Sequence, residues 1–136
     1  MRRMSLGGQK GLALIIAREL AANVSVPMFL VDAENTLVYY NEAAEPAFGG
    51  AFGATGEIRS GEWSARFRPT LPGGVPVPRE ELPLVVALEQ RRPAHGEHEM
   101  SDADGRRRTV ELTALPLFGG PDDFVGVLAT FWPTGD

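Results

Sequence analysis

The chain contains no cysteine. That excludes disulfides, thiolate nucleophiles, Cys-ligated clusters and any chromophore attached through sulfur, and it fits a reducing compartment. Histidine is almost as scarce, with only His95 and His98 present. Long apolar runs are missing too: none approaches the roughly 18 consecutive apolar residues that a membrane helix needs. A basic start followed by GLALIIA has the outline of a secretory leader. Its apolar run, however, spans only Leu12 to Ala17 before Arg18 and Glu19 break it, short of a secretory core of roughly 7–15 residues. These absences lead to the expectation of a soluble, cytoplasmic protein without a membrane partner.

What is present is ordinary for a globular domain: 136 residues, 43% hydrophobic and 23% charged. A chain of this length can bury a core without metal or disulfide support. The net charge of −5 argues against a nucleic-acid partner. Charge is distributed unevenly. Arg2, Arg3, Lys10 and Arg18 against Glu19 put the first twenty residues at +3, which leaves −8 for the remainder.

Hydrophobic periodicity sets the organisation. Residues 1–8 contain the breakers Gly7 and Gly8 and are expected to fray. From Gln9 to Asn23, Leu12, Ile15, Ile16 and Leu20 recur at helical spacing and form an apolar stripe. The division is therefore an N-terminal extension and amphipathic helix over 1–23, and a domain over 24–136. Val26–Val31 and Leu37–Tyr40 read as two short strands joined by the turn Asp32-Ala33-Glu34-Asn35, where Asn35 is suited to the left-handed conformation. Asn41 then fits a helix N-cap, with Glu42 and Glu45 in the positive first turn. Pro46 keeps that helix short and Gly49 closes it. Gly49 to Gly61 is glycine-rich and expected to be mobile, with Trp63 and Phe67 anchoring the chain beyond it.

A helix is expected from Arg79 or Glu80 to about Gln90, with Glu80 and Glu81 at its start and Arg91 and Arg92 at its end. Three strands follow. Ala94–Ser101 is polar and reads as an edge strand. Asp104-Gly105 signals a tight hairpin into Arg108–Phe118, and Phe124–Trp132 comes last. The fold class is α+β, with a five-stranded antiparallel sheet. Phe124–Trp132 and Val26–Val31 are apolar on both faces, so both faces of the sheet are covered. The internal helices can cover one face, and the N-terminal helix is the candidate for the other, from the same chain or a partner's.

At the level of ordered motifs, VPMFLVDAENTLVYYNEAAEPAFG resembles the start of a PAS domain. Asp32, Asn41, Ala44 and Gly49 occupy the matching places, and Asn35 stands where the family often has glycine. GVPVPREELPLVVAL, DGRRRTVELTALPLF and FVGVLATFW resemble the helix and three-strand end of the same family, so the similarity covers about residues 20–133. The resemblance implies a sheet with helices on one face enclosing a small pocket, and an N-terminal helix that often packs on the outer face and dimerises. It also implies sensing, in which a ligand or partner shifts an equilibrium read by an output domain.

The residues narrow the chemistry. Flavin photoadduct domains of this family need a cysteine, and none exists here. Noncovalent flavin has no support in the sequence. Family haem sensors usually take an axial His from the longer helix, and Glu80–Gln90 has none, which argues against haem. His95 and His98 lie three apart on a strand and face opposite ways, so they do not form one metal site. Met100 shares a face with His98 and is a conceivable soft ligand. The simpler reading is two partly exposed edge-strand histidines that titrate near neutrality.

No enzymatic constellation emerges. Glu80-Glu81 and Asp122-Asp123 are adjacent acids that diverge or are solvated, no phosphate loop is present, and Ser and His lack a supporting triad. Arg106-Arg107-Arg108 reads as a solvated strand start. The expectation is a non-enzymatic PAS-like sensor, homodimeric through Leu12, Ile15, Ile16 and Leu20, acting on a signalling partner in trans or belonging to a longer chain. A small molecule would sit among Tyr39, Trp63, Phe67, Leu84, His98, Thr113 and Thr130. Asp32, Asn35, Asn41, Gly49 and Gly105 set the fold. The alternatives are a ligand-free homodimerisation or interaction module and, less favoured, a haem or flavin redox sensor.

Overall fold

The computed structural model describes residues 2–55, 58, 69–71, 73–101 and 104–134, with backbone alone for 2–10 and 54–55. Helix α1 (Arg2–Ala22) leads into strands β1 (Met28–Asp32) and β2 (Leu37–Tyr40). A 3-10 turn at Glu42–Ala44, α2 (Glu45–Phe48) and α3 (Phe52–Thr55) follow, and α3 occupies ground expected to be loop. A second 3-10 turn at Arg79–Glu81 precedes α4 (Pro83–Gln90). Strands β3 (Ala94–Ser101), β4 (Arg107–Gly120) and β5 (Asp123–Pro133) complete the chain. The sheet is antiparallel throughout, in the order β2-β1-β5-β4-β3.

Two boundaries differ from expectation for physical reasons. α1 begins at Arg2 and runs through Gly7 and Gly8, since a glycine costs only about 1 kcal/mol against alanine and a long helix absorbs that. α4 begins at Pro83, because the proline ring presets the first helical turn. Glu80 and Glu81 therefore belong to the preceding 3-10 turn. Arg91 ends α4 in a left-handed conformation, φ 57°.

The β1–β2 turn is held by Asp32, whose Oδ1 accepts from the backbone N–H groups of Glu34 (3.0 Å) and Thr36 (2.9 Å). Asn35 takes φ 64°, the left-handed geometry expected of it. Gly49 (φ 92°) closes α2, and Gly105 (φ 80°) lies in the β3–β4 hairpin.

The carboxamide of Asn41 joins more of the chain than any capping role requires. Its Oδ1 accepts from Met28 N–H (3.0 Å) and Ala44 N–H (3.2 Å). Its Nδ2 donates to the carbonyls of Ala21 (3.0 Å), Val24 (3.2 Å) and Val26 (2.9 Å). Two hydrogens serve three carbonyls, so at least one is shared. The end of α1, the connector, the start of β1 and the 3-10 turn thus meet on one side chain that is 1% exposed.

Cross-strand register assigns the faces. Phe29 and Val31 of β1, Val127, Ala129 and Phe131 of β5, and Leu112 and Ala114 of β4 face inward, with Tyr40, Phe48 and Ala87 completing that core. Met28, Leu30 and Leu128 face outward beneath α1, which contributes Leu14, Ala17 and Ala21. Phe124 has the sequence parity of Leu128 yet joins the inner core, because the β4–β5 register shifts around Phe118. At Gly126 a side chain has no room: a Cβ would fall 2.2 Å from the carbonyl oxygen of Val31. Only glycine lets β1 and β5 approach there.

The two-sided burial expected from the strands is therefore met by α1 of the same chain. α1 does so with Ala17, Ala21 and Leu14, and Leu12, Ile15, Ile16 and Leu20, the expected stripe, remain 56–58% exposed. β3 is an edge strand, as its polarity implies. Among the described residues each sheet edge carries one extra bridge, Leu37 to Ile58 and Thr70 to Glu99.

Replacing Asn41 by Ala would leave buried N–H and carbonyl groups from several segments unpaired. It is expected to cost roughly 3–4 kcal/mol of folding stability. Urea denaturation checks this, and a loss below about 1 kcal/mol would mean that water replaces the amide.

Candidate functional site

A cavity of about 1130 Å³ lies between the inner sheet face and the helical side of the domain. Small-molecule sites typically run from about 300 to 1,000 Å³, so a sizeable ligand fits. The sheet contributes Phe29, His98, Met100, Val110, Leu112 and Phe131. The opposite wall comes from Glu42 and Ala43 of the 3-10 turn, Pro46, Ala47 and Phe48 of α2, and Leu82, Pro83 and Leu84 at the start of α4. The lining is mainly apolar, with charged groups in Glu42, Glu45, Arg79, Asp104 and Arg108.

Aromatic packing fixes the sheet side of this wall. Phe48 stacks on Tyr40 at 4.2 Å and meets Phe29 edge-on at 6.0 Å. Phe29 also contacts Phe131 at 6.0 Å. Such contacts hold rings in defined orientations.

Several polar groups near the cavity are already engaged. Arg79 pairs with Glu89 at 2.6 Å on the surface, where such a pair contributes little to stability. Ser101 Oγ accepts from Arg107, which also donates to Thr70 Oγ1 (2.7 Å) and the Glu99 carbonyl (3.2 Å). Arg107 is exposed, as expected, and also ties the Thr70 segment to the edge strand.

The two histidines part company. His95 is on the outer face and exposed, with Nε2 3.1 Å from Glu111 Oε1 and Nδ1 2.8 Å from Thr113 Oγ1. His98 is 7% exposed and lines the cavity, which corrects the expectation of a partly exposed ring. Gly96, two residues earlier on the same face, makes the room: a Cβ there would come 2.7 Å from His98 Cε1 and 3.1 Å from Pro83 Cγ. Burial lowers the His98 pKa from the ordinary 6.5, outweighing the upward pull of Glu81 and then Glu97. The ring is therefore neutral at pH 7. No group of three or more His, Cys, Asp or Glu able to hold a metal occurs among the described residues.

Of the residues expected around a ligand, the structure brings Leu84 and His98 together at the cavity. Trp63 and Phe67 lie outside the described residues. Tyr39, Thr113 and Thr130 stand on the other face and do not line the cavity, which corrects their expected placement. Tyr39 pairs with Leu30 under α1, where Arg18 lies 4.7 Å from its ring centroid. Thr130 pairs with Met28 and with Thr113, and its hydroxyl donates to the Pro27 carbonyl at 3.1 Å. With apolar residues on both faces of β1 and β5, alternation alone gave no means of choosing the inward set. Phe29 and Phe131 were missed for that reason; Met100, expected on the same face as His98, lines the cavity with it.

A sequence model described as the PAS fold matches residues 21–136. No curated protein matches the sequence. Among solved structures, the LOV protein of Rhodobacter sphaeroides is 19% identical with a TM-score of 0.69, over 90% of this chain and 68% of its own. The PAS domain of a Colwellia psychrerythraea protein is 18% identical with a TM-score of 0.63, over 89% and 96%. That of BvgS from Bordetella pertussis is 17% identical with a TM-score of 0.61, over 90% and 86%. At these identities the likeness is one of fold.

The position of His98 generates a pH dependence with a definite sign. The unfolded chain takes up a proton near pH 6.5, whereas the folded chain takes it up only at lower pH. Stability is then fully present above about 6.5 and is lost as pH falls through the folded pKa. Urea denaturation at pH 7.5 and 5.5 should show a smaller drop for His98→Gln than for the natural chain; equal drops would place the ring in solvent.

Proposed function

The chain belongs to the PAS fold family, whose members generally serve sensing and signalling, and from that premise we propose that it is a sensory and regulatory module. It binds a small molecule in the cavity between the sheet and the helices. The observation that supports this reading is the cavity itself: about 1130 Å³, mainly apolar, with a buried imidazole in its wall. Apolar lining with a few placed polar groups is the usual build of a small-molecule site. A ligand would act by favouring one arrangement of the domain over another, since equal affinity for both shifts nothing. The module acts without chemistry of its own and passes its state to a signalling partner. Native mass spectrometry of the purified chain, with an absorption spectrum to reveal haem or flavin, tests the proposal. A reproducible extra mass released on denaturation is expected, and a chain that stays empty after incubation in cell extract would count against it.

A second element of the proposal is a homodimer, supported by the stripe Leu12, Ile15, Ile16 and Leu20. Each of these side chains is more than half exposed although α1 already packs on the sheet through Ala17 and Ala21. Covering what remains exposed would contribute roughly 1 kcal/mol or more per side chain, and an isologous pairing covers both copies at once. Without a ligand, the same face makes the chain an interaction module. No helix among the described residues is long and apolar enough to cross a membrane. In analytical ultracentrifugation the natural chain is expected to sediment as a dimer and the Ile15→Glu, Ile16→Glu variant as a monomer. An unchanged mass would remove this helix face from the interface.

A further inference from the structure

We propose that His98 is the polar anchor of the cavity and that it selects an uncharged, largely apolar ligand carrying a single hydroxyl or N–H group. This rests on the small-molecule reading above and names the class of molecule. His98 is more than nine-tenths buried and lines the cavity. Among the described residues, neither of its ring nitrogens has a hydrogen-bond partner. Neither nitrogen is among the fully buried unpaired atoms, so each keeps some access to solvent, and a ligand that pairs with one replaces water with a hydrogen bond shielded by the apolar wall.

The surroundings specify the rest of the molecule. The ring rests over the bare backbone of Gly96 and beside Pro83, both within contact distance of where a Cβ on Gly96 would lie. The slot therefore fixes the ring, with Cε1 and Nε2 on the Gly96 side. The inner-face neighbours of His98 on the sheet are Met100, Leu112 and Val110, the last paired with His98 across the strands, with Arg108 following opposite Met100. From the helical side come Leu82, Pro83 and Leu84. A flat apolar body suits that lining.

Charge works against an ionic ligand at this position. The ring is neutral at pH 7 and supplies no charge of its own to hold a carboxylate; of the two cations on the lining, Arg79 is paired with Glu89, and Arg108 shares the lining with the carboxylates of Glu42, Glu45 and Asp104. A neutral imidazole offers one acceptor and one donor nitrogen. A hydroxyl or N–H on an uncharged ring system meets the acceptor.

Two probes that differ by one group test this: 2-naphthol and naphthalene, titrated into the full chain and followed by probe fluorescence. The natural chain is expected to bind 2-naphthol about tenfold more tightly, the equivalent of one hydrogen bond to a buried group. In His98→Leu that preference should vanish while naphthalene affinity is retained, which also shows that the variant folds. His98→Gln keeps a hydrogen-bonding group and should retain part of the preference; it serves equally if the leucine variant fails to fold. If both probes bind but the preference is absent in the natural chain, or survives in His98→Leu, the anchor is overturned while the cavity reading stands. If neither probe binds, the cavity reading falls and the anchor falls with it.

Discussion

The fold depends on one buried amide. Asn41 hydrogen bonds to five backbone groups in four segments, from Ala21 at the end of α1 to Ala44 in the 3-10 turn. An aliphatic residue could fill the space but would orphan those groups, and an aspartate would face three carbonyls with a negative charge. Donor and acceptor must sit on the same short side chain, which restricts the position to an amide. The end of α1, the start of β1 and the entrance to the helical side are positioned by this one residue, and the cavity wall begins at the next.

Sheet geometry then does two jobs with the same strands. Gly126 brings β1 and β5 together where any side chain would collide with Val31. With that pairing set, alternation sends Phe29 and Phe131 to the cavity and Leu30 and Leu128 to α1. A central strand that is apolar on both sides has no solvent face, so each face needs its own cover. The outer cover packs Ala17, Ala21 and Leu14 against the sheet and leaves Leu12, Ile15, Ile16 and Leu20 pointing away.

Much of this was legible in the sequence because local chemistry decides it. The Asp32 turn, the left-handed Asn35, the Asn41 cap and the Asp104-Gly105 hairpin are all set within a few residues, and the five-stranded antiparallel sheet follows from the strand count and the family resemblance. What escaped the sequence is set by contacts distant along the chain. Nothing in LVYY distinguishes Tyr39 from Tyr40, since the side that each occupies follows from pairing with β1 and the shift between Leu30 and Val31. AHGEHEMS reads as exposed because four of its eight residues are His or Glu. Its inner face is nevertheless covered by Pro83, and the bridge to Thr70 closes its outer edge. A polar sequence thus conceals a buried imidazole. The same limit applies to α1, whose periodicity announces a stripe but does not say that the sheet takes the alanine side.

The Asn41 network also has a mechanical meaning. The residues that follow it, Glu42 and Ala43, form part of the cavity wall, while its own amide grips Ala21 at the foot of α1. Between the chamber and the outer helix there is thus a single residue's length of covalent chain and one hydrogen bond, through the rim of the sheet rather than across it. The inner chamber and the outer helix are neighbours in wiring although a sheet separates them in space.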